Sequence, residues 1–425
     1  MKTKIKNIND FTKELTCIVP WEELEDLFKE EFNKVKSNHT PKGGRKGKVF
    51  GRDLELFKKN YSTAIEATFA EKSLNQFYHK ALQEENLNPI DQAKVSKLDF
   101  SEGKELTFTL TFEVIPDIKL PNYEKKFKVK MVKYVQADDD VNHALEELRQ
   151  QHSNLKTIDD GAKSGNFINA DFQELDESDI PIIGKKLDKQ YIKLGVGAFS
   201  GSSEKDLLGV KPEDKRKVTI NYGEGKTSRY EISINKVEEQ ILPDLDDGFA
   251  STVSPDLKTL DDLKAQIKDN IQKSIDDDYE KRKRESFITH FVQKTKFKAP
   301  ESMVNRYVEK FIEEEQKKNK DLDVDKLKED SKEMADFNVK WYIIKDRLIT
   351  KSKVSVNNDD IDNEIKKVID ESNEEQGKIE EFFSNPSNRE SLSSNLLNEK
   401  LFTYINEYAI ISNSEKSTEE LRKQK

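Results

Sequence analysis

Leu106, Phe108, Leu110, Phe112 and Val114 alternate with Thr107, Thr109, Thr111 and Glu113. A period of two belongs to a pleated strand with one buried face, so KELTFTLTFEVIP predicts a one-sided strand. Earlier in the chain the period changes. Trp21, Leu24, Leu27, Phe28, Phe32 and Val35 recur at steps of three and four, which predicts an amphipathic helix of about five turns. It begins after Pro20, where a missing N–H costs nothing, and stops in SNHTPKGG, at Pro41 and the glycines. Ala64, Ile65, Phe69, Leu74, Phe77, Tyr78 and Leu82 mark a second helix, closed by NLNPI. The first hundred-odd residues therefore read as α+β: a strand ending at Val19, two helices, and a small antiparallel sheet covered on one side.

Beyond this head, IPDIKLPNYEKKFKVKMVKYV is extended and leads into a helix carrying Val141, Leu145 and Leu148. Short strands separated by turns follow: NFINADF, KQYIKLGVG, KVTINY and RYEISINKV. After ILPDLDDGFA the pattern is helical almost to the end, starting with Leu257, Leu260, Leu263, Ile267, Ile271 and Ile275. The expected organisation is multidomain α+β. It comprises a head over 1–114, a connector with the first part of the helical region over 115–155, a β-rich module over 156–238, the helical region over 239–413, and a loose tail over 414–425 without an apolar face.

Composition sharpens the picture. Of 425 residues 37% are charged and 34% hydrophobic, which suits an elongated molecule with thin helical layers. The start, MKTKIKNINDFTKEL, has no apolar leader, and no segment has the length of a membrane span, so a cytoplasmic protein without a membrane partner is expected. Cys17, the single cysteine, excludes an internal disulfide and reads as a buried strand residue. The five histidines, His39, His79, His143, His152 and His290, show no ligand spacing, so neither a metal nor another cofactor is expected.

One stretch runs against the net charge of -10. PKGGRKGKVFGR, residues 41–52, holds five cations and four of the 16 glycines without a carboxylate. It fails as a phosphate loop, because Lys42 stands where the first glycine belongs and Val49 follows Lys48 in place of Ser or Thr. A solvated hairpin is the bland reading. Docking on an anionic surface is the sharper one, with Arg45, Lys46 and Lys48 meeting phosphates or acidic side chains. Overall acidity argues against nucleic acid as the main partner, so the tip would bind a local target, and no DNA partner is expected.

GGRKGKVF resembles the ribosome-docking signature of the trigger factor family, Gly-Phe-Arg-x-Gly-Lys-x-Pro, and the resemblance extends in domain order through FEVIPDIKLPNYE and LPDLDDGFA. Gly44 stands at the family's aromatic and Phe50 at its proline, so Phe50 offers a substitute ring. The resemblance implies an ATP-independent, cytosolic chaperone. Gly43, Gly44, Arg45, Lys46, Gly47 and Lys48 would dock it on ribosomal protein and ribosomal RNA at the tunnel exit, Arg45 and Lys46 being the principal pair. Its partners would be the ribosome and unfolded nascent chains, with a weak homodimer when free. The helical region would be a chaperone domain with arms.

The β-rich module resembles an FKBP-type prolyl isomerase, whose chemistry needs apolar walls that favour a twisted amide rather than a nucleophile or metal. Asp171, Phe172, Phe199 and Tyr230 match pocket positions, while Ser200, Gly201 and Ser202 replace part of an aromatic floor and the loop after KVTINY is shortened to GEGKT. Core packing is the alternative for the three rings. In the helical region, Tyr307, Phe311, Phe337, Trp341 and Tyr342 are candidates for holding client chain; core packing accounts for most of such stripes. Two other functions stay open at this point: a prolyl isomerase first and foremost, or a ribosome- or RNA-associated structural protein that binds no client.

Overall fold

A computed structural model of the chain describes residues 1–222, 227–319, 322–372 and 375–423. The chain divides into two compact units, Met1–Met131 with Arg282–Ser412 and Val132–Lys281 with Asn413–Lys425. In the first unit, β1 (Lys2–Asn7), β2 (Thr12–Val19), α1 (Trp21–Asn38), α2 (Arg52–Glu84), β3 (Lys94–Asp99) and β4 (Leu106–Glu113) make the head. Its antiparallel sheet has the order β1-β2-β4-β3. Every second residue of β4 is buried, as the alternation predicts, and Leu15, Cys17 and Val19 of β2 lie opposite Leu110, Phe108 and Leu106. Phe28 of α1 and Phe57, Phe69 and Phe77 of α2 close the same core. Burial, then the nearby Glu85 and Glu84, pushes the Cys17 thiol up to about 12, so it stays protonated and inert. β1 and β3 escaped the pattern because they are lysine-bearing edge strands, KTKIKN and KVSKLD, with too few apolar residues to mark a buried face.

β5 (Phe127–Val135) and α3 (Asp140–Gln151) precede a five-stranded sheet of β6 (Asn154–Ile158), β7 (Phe167–Leu175), β8 (Pro181–Lys193), β9 (Lys215–Asn221) and β10 (Thr227–Ile241), with α4 (Ser202–Leu207) before β9. β10 is long enough to pair with β6, β7 and β9, and β8 is an edge on β7. Ile168, Ala170, Phe172, Ile192, Val218, Ile220, Ile232 and Ile234 fill the core of this module. α5 (Asp247–Val253) packs Phe249 and Ala250 with Leu145 of α3 and with Leu263 and Ile267 of α6 (Leu260–Lys294).

α7 (Glu301–Lys318), α8 (Val324–Asp330), α9 (Lys332–Ser352), α10 (Asn358–Glu371), α11 (Gln376–Ser384) and α12 (Pro386–Glu407) return to the first unit. Polar contacts join them to the head. The Ser302 N–H and hydroxyl donate to Glu113 at 3.0 and 2.6 Å, and Arg306 donates to the Ile90 carbonyl at 2.6 Å. Tyr123, fully buried, sits among Phe291, Tyr404 and Tyr408 at 5.4, 6.3 and 5.7 Å, with the Lys351 ammonium 4.8 Å from its ring. Among the described residues no helix is long and apolar enough to cross a membrane.

The expected loose tail is corrected. β11 (Ala409–Ser417) pairs with β5, and α13 (Glu419–Arg422) follows. A backbone ladder needs no apolar face, which is why polarity alone misled. Thr418 makes the anchor. Its hydroxyl donates to buried Asp140, it accepts the Ala137 N–H at 2.9 Å, and its own N–H donates to the Val135 carbonyl at 3.1 Å. Arg422 pairs with the other Asp140 oxygen at 3.2 Å. Thr418→Val keeps the shape and deletes the hydroxyl, leaving the carboxylate short of a donor. It is expected to cost about 1–3 kcal/mol of the second unit's stability in urea unfolding.

Candidate functional site

Two turns build the basic tip between α1 and α2. The Gly44 N–H donates to the Pro41 carbonyl and the Lys48 N–H to the Arg45 carbonyl, each at 3.0 Å. Between them the Gly47 N–H reaches back 2.8 Å to the His39 carbonyl, tying the loop to the end of α1. Gly47 has φ +77°, and a Cβ there would lie 3.0 Å from the Ser37 carbonyl oxygen, so glycine is what this closure requires. Pro41 and Val49 turn inward at either side. The His39 ring lies 5.1 Å from both Phe57 and Tyr61, which stack on each other at 5.0 Å. The tip therefore stands on a packed aromatic base.

Lys42, Gly43, Gly44, Arg45, Lys46 and Lys48 all face solvent. Lys42, Arg45, Lys46, Lys48 and Arg52 have no ion-pair partner among the described residues. Lys58, Lys72 and Lys80 of α2 are paired, with Glu102, Glu31 and Glu23 at 3.7, 2.6 and 3.8 Å. In the tip, by contrast, five cations fall within twelve residues that hold no carboxylate. Uncompensated charge on a pinned, glycine-jointed support is what an anionic surface recognises.

In the β-rich module three of the four expected pocket residues meet. Phe172 lies edge-on to Phe199 at 5.8 Å and to Tyr230 at 5.9 Å, and the Tyr222 hydroxyl donates to that of Tyr230 at 3.2 Å. Phe172 is only 4% exposed, so its ring belongs to the core as much as to any pocket. Asp171 does not join them. As the next residue on β7 it takes the other face, where Oδ1 accepts from the Lys189 N–H at 2.7 Å and from the Asn235 amide at 3.0 Å. Lys189 has φ +52°, so the carboxylate fastens an irregularity of β8. Ser200 bonds its own turn, donating to the Gly197 carbonyl at 2.7 Å, and α4 begins at Ser202. Residues 223–226, the GEGK of the shortened loop, lie outside the described residues.

The Lys189 N–H, then the Asn235 amide, hold the Asp171 carboxyl below the usual Asp range. A depressed folded-state value adds stability above the unfolded value, and that stability is lost as pH falls through the folded one. Asp171→Ala is therefore expected to weaken the module near neutral pH, with the gap to wild type closing as pH drops below about 3.9. Urea unfolding at several pH values measures this.

The helical candidates separate into covered and open positions. Val308 and Ile312 of α7 pack on Ala335 of α9. Beside this seam Tyr307 is 37% exposed and Tyr342 54%. Phe311, Phe337 and Trp341 are half-buried, Trp341 stacking on Phe402 at 5.9 Å. Phe337 also lines an open groove of about 880 Å³ with Val292, Ala299 and Val304. The reading of the sequence missed Phe382, 58% exposed on α11, although the double ring in QGKIEEFFS on so short a helix was a signal.

Comparison with known proteins gives a consistent picture. Residues 1–148 match the family model of the bacterial trigger factor protein, and residues 259–407 that of the bacterial trigger factor protein C-terminus. The trigger factor of Desulfotalea psychrophila is 25% identical over 431 residues, covering 97% of this chain and 96% of that protein. That of Geotalea uraniireducens is 24% identical over 425 residues, covering 95% and 97%. That of Clostridium botulinum is 28% identical over 327 residues, covering 74% of each. A solved trigger factor chaperone, described for promiscuous substrate recognition in folding and assembly activities, shares the fold. Its TM-score is 0.53 at 17% identity, over 95% of this chain and 99% of that one.

Proposed function

Because the chain belongs to the bacterial trigger factor family, we propose that it is an ATP-independent chaperone that docks at the ribosomal tunnel exit and shields emerging polypeptide. The observation that carries this reading is the tip, whose Arg45, Lys46 and Lys48 face solvent without a partner carboxylate among the described residues. Gly43 and Gly44 let its backbone come close to ribosomal protein and ribosomal RNA, and Gly47 closes the loop that presents them. The exposed apolar positions of the helical region then take weak hold of client chain. Release needs no nucleotide, since a client that buries the same surface internally gains about 25 cal/mol per Å² by folding. In the free protein a second copy covers those positions, as a weak homodimer.

Tyr307 and Tyr342 are the rings most open to a client on α7 and α9. Each covered ring is worth about 1.5 kcal/mol, so Tyr307→Ser with Tyr342→Ser is expected to demand at least about tenfold more chaperone to suppress aggregation of a denatured test protein. Equal suppression would remove these two from the client surface. A wild-type chain that leaves aggregation unchanged would sink the chaperone reading itself. An isomerase reading is left with Phe199 and Tyr230, each packed on Phe172, as its wall and with Asp171 turned away. Shielding is therefore the function put forward.

A further inference from the structure

Phe50 lies between a residue driven inward and a residue that turns the chain. Val49 is fully buried and Phe50 is 66% exposed. Gly51, with φ +52°, opens α2, and the Phe50 carbonyl accepts the Asp53 N–H at 3.2 Å in its first turn. The backbone thus holds the ring outward at the root of a helix, where ordering it on binding costs little. Phe50 has no aromatic or cation partner among the described residues, and Lys48 and Arg52, two residues to either side, have no carboxylate.

An acidic protein surface is recognised by the cations, and it would use the ring only by adding an apolar socket beside its carboxylates. A single-stranded or looped nucleic acid uses both, cations on the phosphates and the ring against the face of an unstacked base. We infer that Phe50 is a base-stacking contact, and that the tip meets RNA through this ring and its flanking Lys48 and Arg52. This rests on the docking reading and extends it to the chemistry of the surface contacted.

The test uses full-length protein and intact ribosomes. Phe50→Ala is expected to weaken co-sedimentation about 5- to 100-fold with the salt slope unchanged. Phe50→Trp restores it and Phe50→Leu does not, because a base needs a π face and an aliphatic socket does not. With p-benzoylphenylalanine in place of Phe50, irradiation is expected to give a ribonuclease-sensitive adduct. A protein adduct alone, or binding by Phe50→Leu equal to wild type, overturns the inference. So does unchanged binding by Phe50→Ala, with the docking reading left standing if Arg45→Ala/Lys46→Ala still abolishes binding. Unchanged binding by that double variant overturns the docking reading first.

Discussion

Arg45→Ala/Lys46→Ala is expected to lose its salt-sensitive co-sedimentation with ribosomes while unfolding at the wild-type temperature. Both side chains are exposed and neither has an ion-pair partner among the described residues, so their removal breaks nothing inside the head. The turns that shape the tip are made by backbone groups and by Gly47, which the double variant retains. Each charge-assisted hydrogen bond to an anion is worth about 1.5–3 kcal/mol, so losing both lowers affinity about 10²- to 10⁴-fold. Where both cations meet phosphates, the slope of log affinity against log salt also falls by about 2. Sedimentation at two or three salt concentrations, beside a thermal unfolding curve, reads both quantities. Retained binding would mean that the chain is anchored elsewhere.

The second large effect belongs to Phe291→Ala, for which a loss of about 3–5 kcal/mol is expected. Phe291 is fully buried and touches Tyr123 at 5.4 Å and Phe127 at 5.6 Å, residues more than 160 positions earlier in the chain. Tyr404 and Tyr408 in turn lie against Tyr123 and Phe287 against Phe127, so the rings beside a deleted Phe291 are themselves held by large neighbours and close the cavity poorly. At about 2–4 °C per kcal/mol for a unit of this size, the first unit's melting transition should drop by about 10 °C. Calorimetry resolves it if the β-rich module melts separately. A drop of one or two degrees would mean that the return of the helices to Tyr123 and Phe127 contributes little.

How much of this was legible in the sequence depends on where each element keeps its apolar atoms. β4, buried on one face and paired on both edges, showed its period plainly, and so did α1. β1, β3 and β11 are held by backbone bonds at sheet edges, and they carry too few apolar side chains to show a buried face in the sequence. Asp171 is the same lesson at a single position. Its neighbour Phe172 lies among rings, but strand alternation sends the carboxylate to the opposite face, where it serves β8. On α7 and α9 the helical period located the apolar stripe without telling that Trp341 would be covered by Phe402 and Tyr342 left open. The tip was legible because cations without neighbouring carboxylates in sequence also lack them in space.

The threading of the chain through its two units sets an order of assembly. The first unit is left at Met131 and resumed at Arg282, and its last residue is Ser412. Tyr123 and Phe127 thus wait for Phe287 and Phe291, some 160 residues later, and for Tyr404 and Tyr408, some 280 residues later, the last of them about 15–55 s at ordinary elongation rates. Meanwhile the head, whose core lies within Leu15–Val114, can already fold and present its docking loop. A protein proposed to guard unfinished chains is thereby itself an unfinished chain for most of its own synthesis, and earlier copies already seated at the exit would be placed to cover it.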